Sequence, residues 1–249
     1  MRFITVTSDN YVAATARMVA SLRQWHADDP VVVYALEQDW NSQLEKHFDG
    51  MQLQIRHLPE PDKRYRQGTL GQSVFARWKL DVFLDQQEPF IFLDSDTLLL
   101  RPLYELIKQT LELGWFTVNE GTTLGQYAQG DISHHVELPD HDESRSGFNT
   151  GVVGCVPEGH REVFELAAQW AAKIKGNLLG DQGLLNLAWY ELHGDLPPGQ
   201  SSLYNGGWHT DDTMNLSQAI LHFARPNYTT EQKLHDHHRI WEAWPRGIA

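Results

Sequence analysis

Apolar and polar positions change places in blocks along the first half of the chain. "RFITVT" (Arg2–Thr7) and "VVVYAL" (Val31–Leu36) are short apolar runs rich in β-branched residues, as expected of strands buried on both faces. Between them, "YVAATARMVASLRQW" sets Ala16, Val19, Ala20 and Leu22 at helical spacing, so the chain opens as a βαβ unit. The alternation continues with a strand over residues 53–58, a helix over Ser73–Leu84 and a strand over Phe90–Leu93 behind Pro89. "RPLYELIKQTLELG" then predicts a helix with Pro102 at its start and Gly114 at its end, followed by the strand "WFTV" (Trp115–Val118).

Periodicity weakens over residues 119–147, which read as an excursion of loops and short strands. Segments of that length inside a domain usually serve the site, and this one is expected to order over it when ligand binds. A strand and turn return from Phe148, then a helix in "REVFELAAQWAAKI". "LGDQGLLNLAWYEL" is the next helix, with Asp181 as its N-cap or first-turn residue and Leu184, Leu185, Ala188 and Trp189 as its apolar stripe. Residues 196–212 are loop-rich, "AILHFARP" holds one more short strand, and residues 231–249 form a C-terminal helix and tail. With no repeat and no clean linker, the expectation is a single α/β domain over residues 1–249.

Composition removes several functional classes. In 249 residues, 41% hydrophobic content with 9 Trp, 8 Tyr and 10 Phe supports a large core and argues against extended disorder. A net charge of -13, from 20 Lys+Arg against 33 Asp+Glu, repels nucleic acid and anionic membranes but not a metal ion. The start has no basic and apolar leader, and no segment approaches the roughly 20 apolar residues that span a bilayer. Cys155 is the only cysteine, which excludes an intrachain disulfide and a cysteine-built zinc site. These readings point to the cytoplasm, and nothing in the sequence indicates an oligomer.

No G-x-G-x-x-G follows the first strand and no P-loop occurs, so a nucleotide would be held in another way. The chemistry gathers instead in "FIFLDSDTLLLRPL", where Asp94 and Asp96 flank Ser95 at the carboxyl end of an apolar strand, the end at which open α/β sheets collect ligands. Side chains two apart on an extended backbone share a side, so both carboxylates can face one ion. Without a cation they would raise each other's pKa. A divalent ion removes that repulsion and keeps coordination positions for diphosphate oxygens. Oxygen ligands favour Mg or Mn, and an added imidazole tilts the choice to Mn. By contrast, His134, His135 and His141 with Asp140 and Asp142 match no zinc spacing and read as a solvated acidic loop.

Six ordered landmarks carry a family resemblance: "VTSDNYVAATARMVASL", "ARWKLDVFL", "FIFLDSDTLLLRPL", "GFNTGVVGC", "GDQGLLN" and "LHFARP". Over nearly the whole chain they resemble the retaining GT-A glycosyltransferases of the glycogenin and bacterial lipopolysaccharide galactosyltransferase type, glycosyltransferase family 8. The resemblance implies a GT-A fold, one Rossmann-like nucleotide-diphospho-sugar transferase domain with a mostly parallel mixed sheet. It implies Mn2+, with Mg2+ as the alternative, on Asp94, Asp96 and His222. The donor is implied to be a UDP-sugar, with Thr7, Ser8 and Asp9 near the uridine and the Tyr11 ring offered to the base. Ser8 stands where bacterial members commonly have an acid. Arg77 is implied to contact the donor's sugar and diphosphate, with Lys79 read as an exposed helix residue. Asn149, with Thr150 and Gly151, is placed near the donor sugar, Asp181 on its hydroxyls and Gln182 at the reactive face of the anomeric carbon.

The clearest departure follows His222. The family's H-F-x-G-x-x-K-P-W becomes "HFARPNYTTEQK", without glycine or lysine on register, leaving Arg225 or Lys233 to supply the cation for the leaving phosphate. The expected activity is metal-dependent, retaining transfer of glucose or galactose to a saccharide or glycoconjugate hydroxyl such as a glycolipid, with Trp208 beside the acceptor. The alternative is a catalytically degenerate nucleotide-sugar or glycan-binding protein. A sugar nucleotidyltransferase would need a Gly-rich basic loop that "TSDNYVAATAR" lacks.

Overall fold

The computed structural model describes residues 1–36, 41–58, 73–118, 121–128, 139–174, 180–199, 202–204, 206–207, 218–224 and 229–243. In chain order, the elements are β1 (Arg2–Thr7), α1 (Val12–Arg23), β2 (Val31–Leu36), α2 (Ser42–Glu45), β3 (Gln54–Leu58), α3 (Ser73–Leu84), β4 (Phe90–Leu93), β5 (Thr97–Leu99), α4 (Tyr104–Leu113) and β6 (Trp115–Val118). They continue with α5 (Leu124–Ala128), β7 (Asn149–Cys155), α6 (Arg161–Lys173), α7 (Asp181–His193), β8 (Gly206–Gly207), β9 (Ile220–His222) and α8 (Thr230–Ala243).

Six strands form one mixed sheet in the order β3-β2-β1-β4-β7-β6. Strands β3, β2, β1 and β4 are mutually parallel, whereas β7 runs antiparallel to both β4 and β6. Residues alternate between the two faces with the pleat. Ile4, Val32, Tyr34, Phe90, Phe92 and Val153 pack under α3, α6 and α7, while Phe3, Val31, Val33, Ile91, Leu93 and Val152 pack against α1 and α4. This is why the strands read as continuous apolar runs: both faces are covered. The largest concentration of rings lies on the first face, where Trp115 is fully buried beside Phe148, Phe164 and Trp189. Each such side chain contributes about 2–3 kcal/mol of burial.

Gly114 ends α4 as predicted, taking the left-handed conformation (φ 80°) that lets its N–H return to the Thr110 carbonyl. Two other expectations shift. Pro102 precedes α4 by two residues, with Leu103 between them as cap. The excursion over residues 119–147 contains a helix, α5, where short strands were expected. Thr123 and Gln126 cap it reciprocally, Gln126 Oε1 accepting from the Thr123 N–H at 3.0 Å and Thr123 Oγ1 from the Gln126 N–H at 3.3 Å. Among the described residues, no helix is long and apolar enough to cross a membrane.

Two features of this architecture position the site. Chain progression leaves β1 toward β2 and β3 on one side and β4 on the other, so the carboxyl ends of β1 and β4 border the switch point where α/β sheets bind ligands. Beyond β4, the chain builds a second, three-stranded sheet in the order β5-β9-β8, with Thr97 opposite His222.

Candidate active site and metal centre

Asp94 and Asp96 leave the sheet at the end of β4, and hydrogen bonds fix the turn that carries them. Ser95 Oγ donates to the Val6 carbonyl of β1 (3.0 Å), and Thr97 Oγ1 to the Asp94 carbonyl (2.7 Å). The Asp94 N–H donates to the Gly151 carbonyl (2.8 Å) and the Phe223 N–H to the Asp96 carbonyl (3.0 Å). Register does the rest. Because β9 pairs antiparallel with β5, His222 lands beside Thr97 and one residue from Asp96, although it lies far away in sequence.

His222 Nε2 stands 3.3 Å from Asp96 Oδ1 and 3.6 Å from Asp94 Oδ2. One ligand atom from each of the three residues falls within 4.8 Å of the others. Ligands around one hard cation sit about 2.1 Å from it, hence up to about 4 Å apart, so small side-chain rotations suffice. Two carboxylates and an imidazole suit a divalent cation, and the geometry fits one.

The same carboxylates are also paired within the chain. Lys79 Nζ bridges Asp94 Oδ1 (2.9 Å) and Asp181 Oδ2 (3.0 Å), and Lys233 Nζ reaches Asp96 Oδ2 (3.1 Å). Burial raises Asp94, with Lys79 opposing and Asp96 adding to the shift. For Asp96, burial is outweighed by His222 and Lys233, which hold its carboxyl well below the usual range. Burial lowers the His222 imidazole, but the two aspartates more than offset this and raise it. Lys79 is likewise raised: burial acts against its charge, and Asp181 and Asp94 prevail.

Around this centre, β7 and α7 contribute a second set. Antiparallel pairing brings the start of β7 to the end of β4, with Leu93 opposite Val152. Thr150 Oγ1 donates to Asp181 Oδ2 (2.8 Å), while the Thr150 N–H donates to Gln182 Oε1 (3.1 Å). Asn149 Oδ1 accepts from the Gly151 N–H (2.6 Å). Gly180, not Asp181, occupies the N-cap of α7. Asp181 is free of capping because its carboxylate serves Lys79 and Thr150 instead.

Gly151 is required by a close approach. A Cβ there would lie 2.3 Å from His222 Cε1 and 2.9 Å from Asn149 Oδ1. Gly151→Ala is therefore expected to displace the imidazole, weakening metal binding at least about tenfold and costing about 1–3 kcal/mol of stability by overpacking. Calorimetric titration with manganese and a thermal melt check the two effects separately.

The predicted uridine residues divide. Thr7 is buried, donating to the Ser8 carbonyl and accepting from Thr15 Oγ1. Ser8 is half-buried, and Asp9 is exposed with its carboxylate on the Asn10 N–H. Tyr11 faces the centre: burial raises its phenol, with Lys233 and Asp96 among the charges acting on it. Arg77 lies on α3, but its side chain falls outside the described residues, as do Arg225, Trp208, His134 and His135.

Lys79 corrects its reading as an exposed helix residue. Its side chain is 12% exposed, and it shares the inward stripe of α3 with buried Val82 and Phe83, three and four residues on. That spacing was the signal available in the sequence. Lys233 occupies the same kind of position on α8, in line with buried His237 and Ile240. A second reciprocal cap starts this helix, the Thr229 N–H donating to Gln232 Oε1 (3.0 Å) and the Gln232 N–H to Thr229 Oγ1 (3.2 Å).

His237 anchors α8 next to the metal centre. Its Nδ1 accepts from Arg17 Nε (3.1 Å) and its Nε2–H donates to the Thr97 carbonyl (3.1 Å), an arrangement that only the neutral ring satisfies. Burial, then Arg17, push its pKa from 6.5 down to about 4. The unfolded chain thus binds this proton more readily, so the contribution is full above pH 6.5 and lost as pH falls toward 4. The loss amounts to about 3 kcal/mol. Denaturant melts at pH 7 and pH 4 are expected to show that decline, and His237→Gln to flatten it.

Comparison with known proteins places this geometry in context. A model of the glycosyl transferase family 8 matches residues 3–227. Among solved structures, the chain is similar to galactosyltransferase LgtC in complex with donor and acceptor sugar analogs, at 15% identity and a TM-score of 0.66 over 99% of this chain and 97% of that one. It is also similar to the apo WbbM bifunctional glycosyltransferase (16% identity, TM-score 0.64, 98% of this chain and 50% of that one). Apo mouse xyloside xylosyltransferase 1 aligns at 14% identity and a TM-score of 0.57, covering 89% of this chain and 96% of that one. No curated protein gives a significant match. At these identities the structural likeness establishes the fold, a GT-A-like domain with a mixed sheet. With a family model that runs from the second residue of β1 to just short of α8, the chain belongs to glycosyl transferase family 8.

Proposed function

We propose that the protein is a manganese-dependent retaining hexosyltransferase that passes glucose or galactose from a UDP-sugar to a hydroxyl of a saccharide or glycoconjugate. The observation that carries this reading is the convergence of Asp94, Asp96 and His222 at the switch point of a family 8 fold. A bound cation there would neutralise charge growing on the departing diphosphate. The mixed oxygen and imidazole donor set favours manganese over magnesium.

The chain's own groups divide the remaining work. Tyr11, at the mouth of the site, offers its ring to the base, with Ser8 and Asp9 at the rim and Thr7 supporting them from below. Asn149 and Gln182 border the sugar. Asp181 is a poor nucleophile, because Lys79 and Thr150 both hold its Oδ2, and the Gln182 amide is a weaker one still. This favours attack by the acceptor hydroxyl on the same face from which the diphosphate leaves, so the C1–O bond to phosphate breaks as the new C1–O bond forms. The acceptor proton passes to the leaving phosphate, and configuration is retained. Residues 119–147, of which 121–128 and 139–147 are described, are assigned to the cover of the site, and the protein to the cytoplasm.

Calorimetric titration with UDP, GDP, CDP and ADP in the presence of manganese tests the donor, and UDP is expected to bind most tightly. Tighter binding of GDP would overturn the uridine assignment. Transfer to a carbohydrate panel, against a protein panel, tests the acceptor class.

A further inference from the structure

Both oxygens of Asp96 are committed within the chain. His222 stands on Oδ1 at 3.3 Å, and the Lys233 ammonium on Oδ2 at 3.1 Å. Across the whole centre, the carboxylates of Asp94, Asp96 and Asp181 face the ammonium groups of Lys79 and Lys233 and the His222 imidazole. These charges already come close to balance, so a divalent cation added among them must meet repulsion from the ammonium groups. At separations of about 5 Å that repulsion is many times thermal energy even with protein-surface screening. One of the lysines has to yield.

The two differ in how firmly they are held. Lys79 bridges two carboxylates, lies 5.0 Å over the Phe92 ring and is 12% exposed. Lys233 has one carboxylate, is 23% exposed and projects from the first turn of α8 on a flexible four-carbon stem. Its backbone is pinned by the Thr229–Gln232 cap before it and by His237 one turn after it. The ammonium can therefore swing, but only within reach of the site.

We propose that Lys233 is an exchangeable counterion: it neutralises Asp96 when no divalent cation is bound, gives way to that cation, and then serves the diphosphate of the nucleotide. This rests on the reading of Asp94, Asp96 and His222 as a divalent metal site. The displaced ammonium beside a divalent ion leaves the pocket with excess positive charge, and a diphosphate is the group that relieves it. Metal and nucleotide then bind cooperatively, through a residue on an element beyond the segment matched by the family model.

The test is a crossed pair of titrations on Lys233→Met, in which the stem is kept and the charge removed. Manganese alone, followed through the spin-resonance signal of the free ion, is expected to bind the variant about tenfold more tightly than the native protein. UDP, titrated at saturating manganese, is expected to bind the variant about tenfold more weakly. Lys233→Arg, which restores a cation, should return both affinities toward the native values. Manganese affinity that is equal or lower in Lys233→Met would make Lys233 a fixed support of the Asp96 carboxylate and overturn the exchange, as would undiminished UDP binding. If manganese binds neither native protein nor variant, the metal reading itself fails, an outcome distinct from equal binding by both.

Discussion

Asp96→Asn is expected to reduce manganese-dependent UDP binding by about a hundredfold to a thousandfold, with transfer activity falling at least as far. The change keeps the shape of the side chain and removes one charged ligand from a three-residue set. It also takes the partner from His222 and Lys233, both of which pair with this carboxylate. Removing one partner of a buried charge pair at a binding site costs about 3–4 kcal/mol of affinity, which corresponds to that loss at about 1.4 kcal/mol per tenfold. Lys233, partly exposed, can turn to solvent, so the fold survives. Calorimetry with UDP and manganese, set beside a thermal melt of the variant, separates lost binding from lost structure. Unchanged UDP binding would reduce the two aspartates to a polar strand end.

Lys79→Met should act first on stability. The thioether chain can still lie on Phe92, but Asp94 and Asp181 then face each other without the ammonium that joins them. An uncompensated buried pair of this kind costs about 3–5 kcal/mol. The loss should grow with pH. Without Lys79 the already raised Asp94 moves higher, so the folded state binds a proton that the unfolded chain releases. Stability is then present at low pH and disappears as pH rises through the folded pKa. Denaturant melts of variant and native protein at pH 5 and pH 8 should therefore diverge more at pH 8. Manganese should narrow the gap by replacing the missing charge.

The order of elements was legible because the central strands of the large sheet are covered on both faces and the long helices carry an apolar stripe, so periodicity reports burial directly. Asp94 and Asp96 were legible for the same reason, as charges set against an apolar strand. The three-residue strand β5 was not. Its existence depends on pairing with β9, a contact between distant parts of the chain that leaves no local pattern. That pairing also explains how His222, assigned to the metal through family likeness, comes to stand beside the aspartates. Lys79 escaped because a lysine is ordinarily solvated, and Lys233 entered only as one of two substitutes for the family's lysine; the apolar residues at helical spacing from each reveal that it points inward. The α5 cap, a Thr and a Gln three residues apart, was readable but is short enough to pass for loop chemistry.

The reversal of direction at β7 has a consequence for how such a protein can diversify. Because β6 is parallel to β4 and β7 runs against both, the chain leaves β6 at Val118 and enters β7 at Asn149 on the rim that holds Asp94, and those two residues are paired. Any length of chain inserted between them begins and ends at the mouth of the site, yet it leaves every strand in register. Lengthening a surface connection costs little, about 0.6 kcal/mol for each doubling, and the aspartates, His222 and the lysines all come from other elements. Natural selection can therefore rewrite this stretch while the strand pairing that sets Asp94, Asp96 and His222 together is inherited intact.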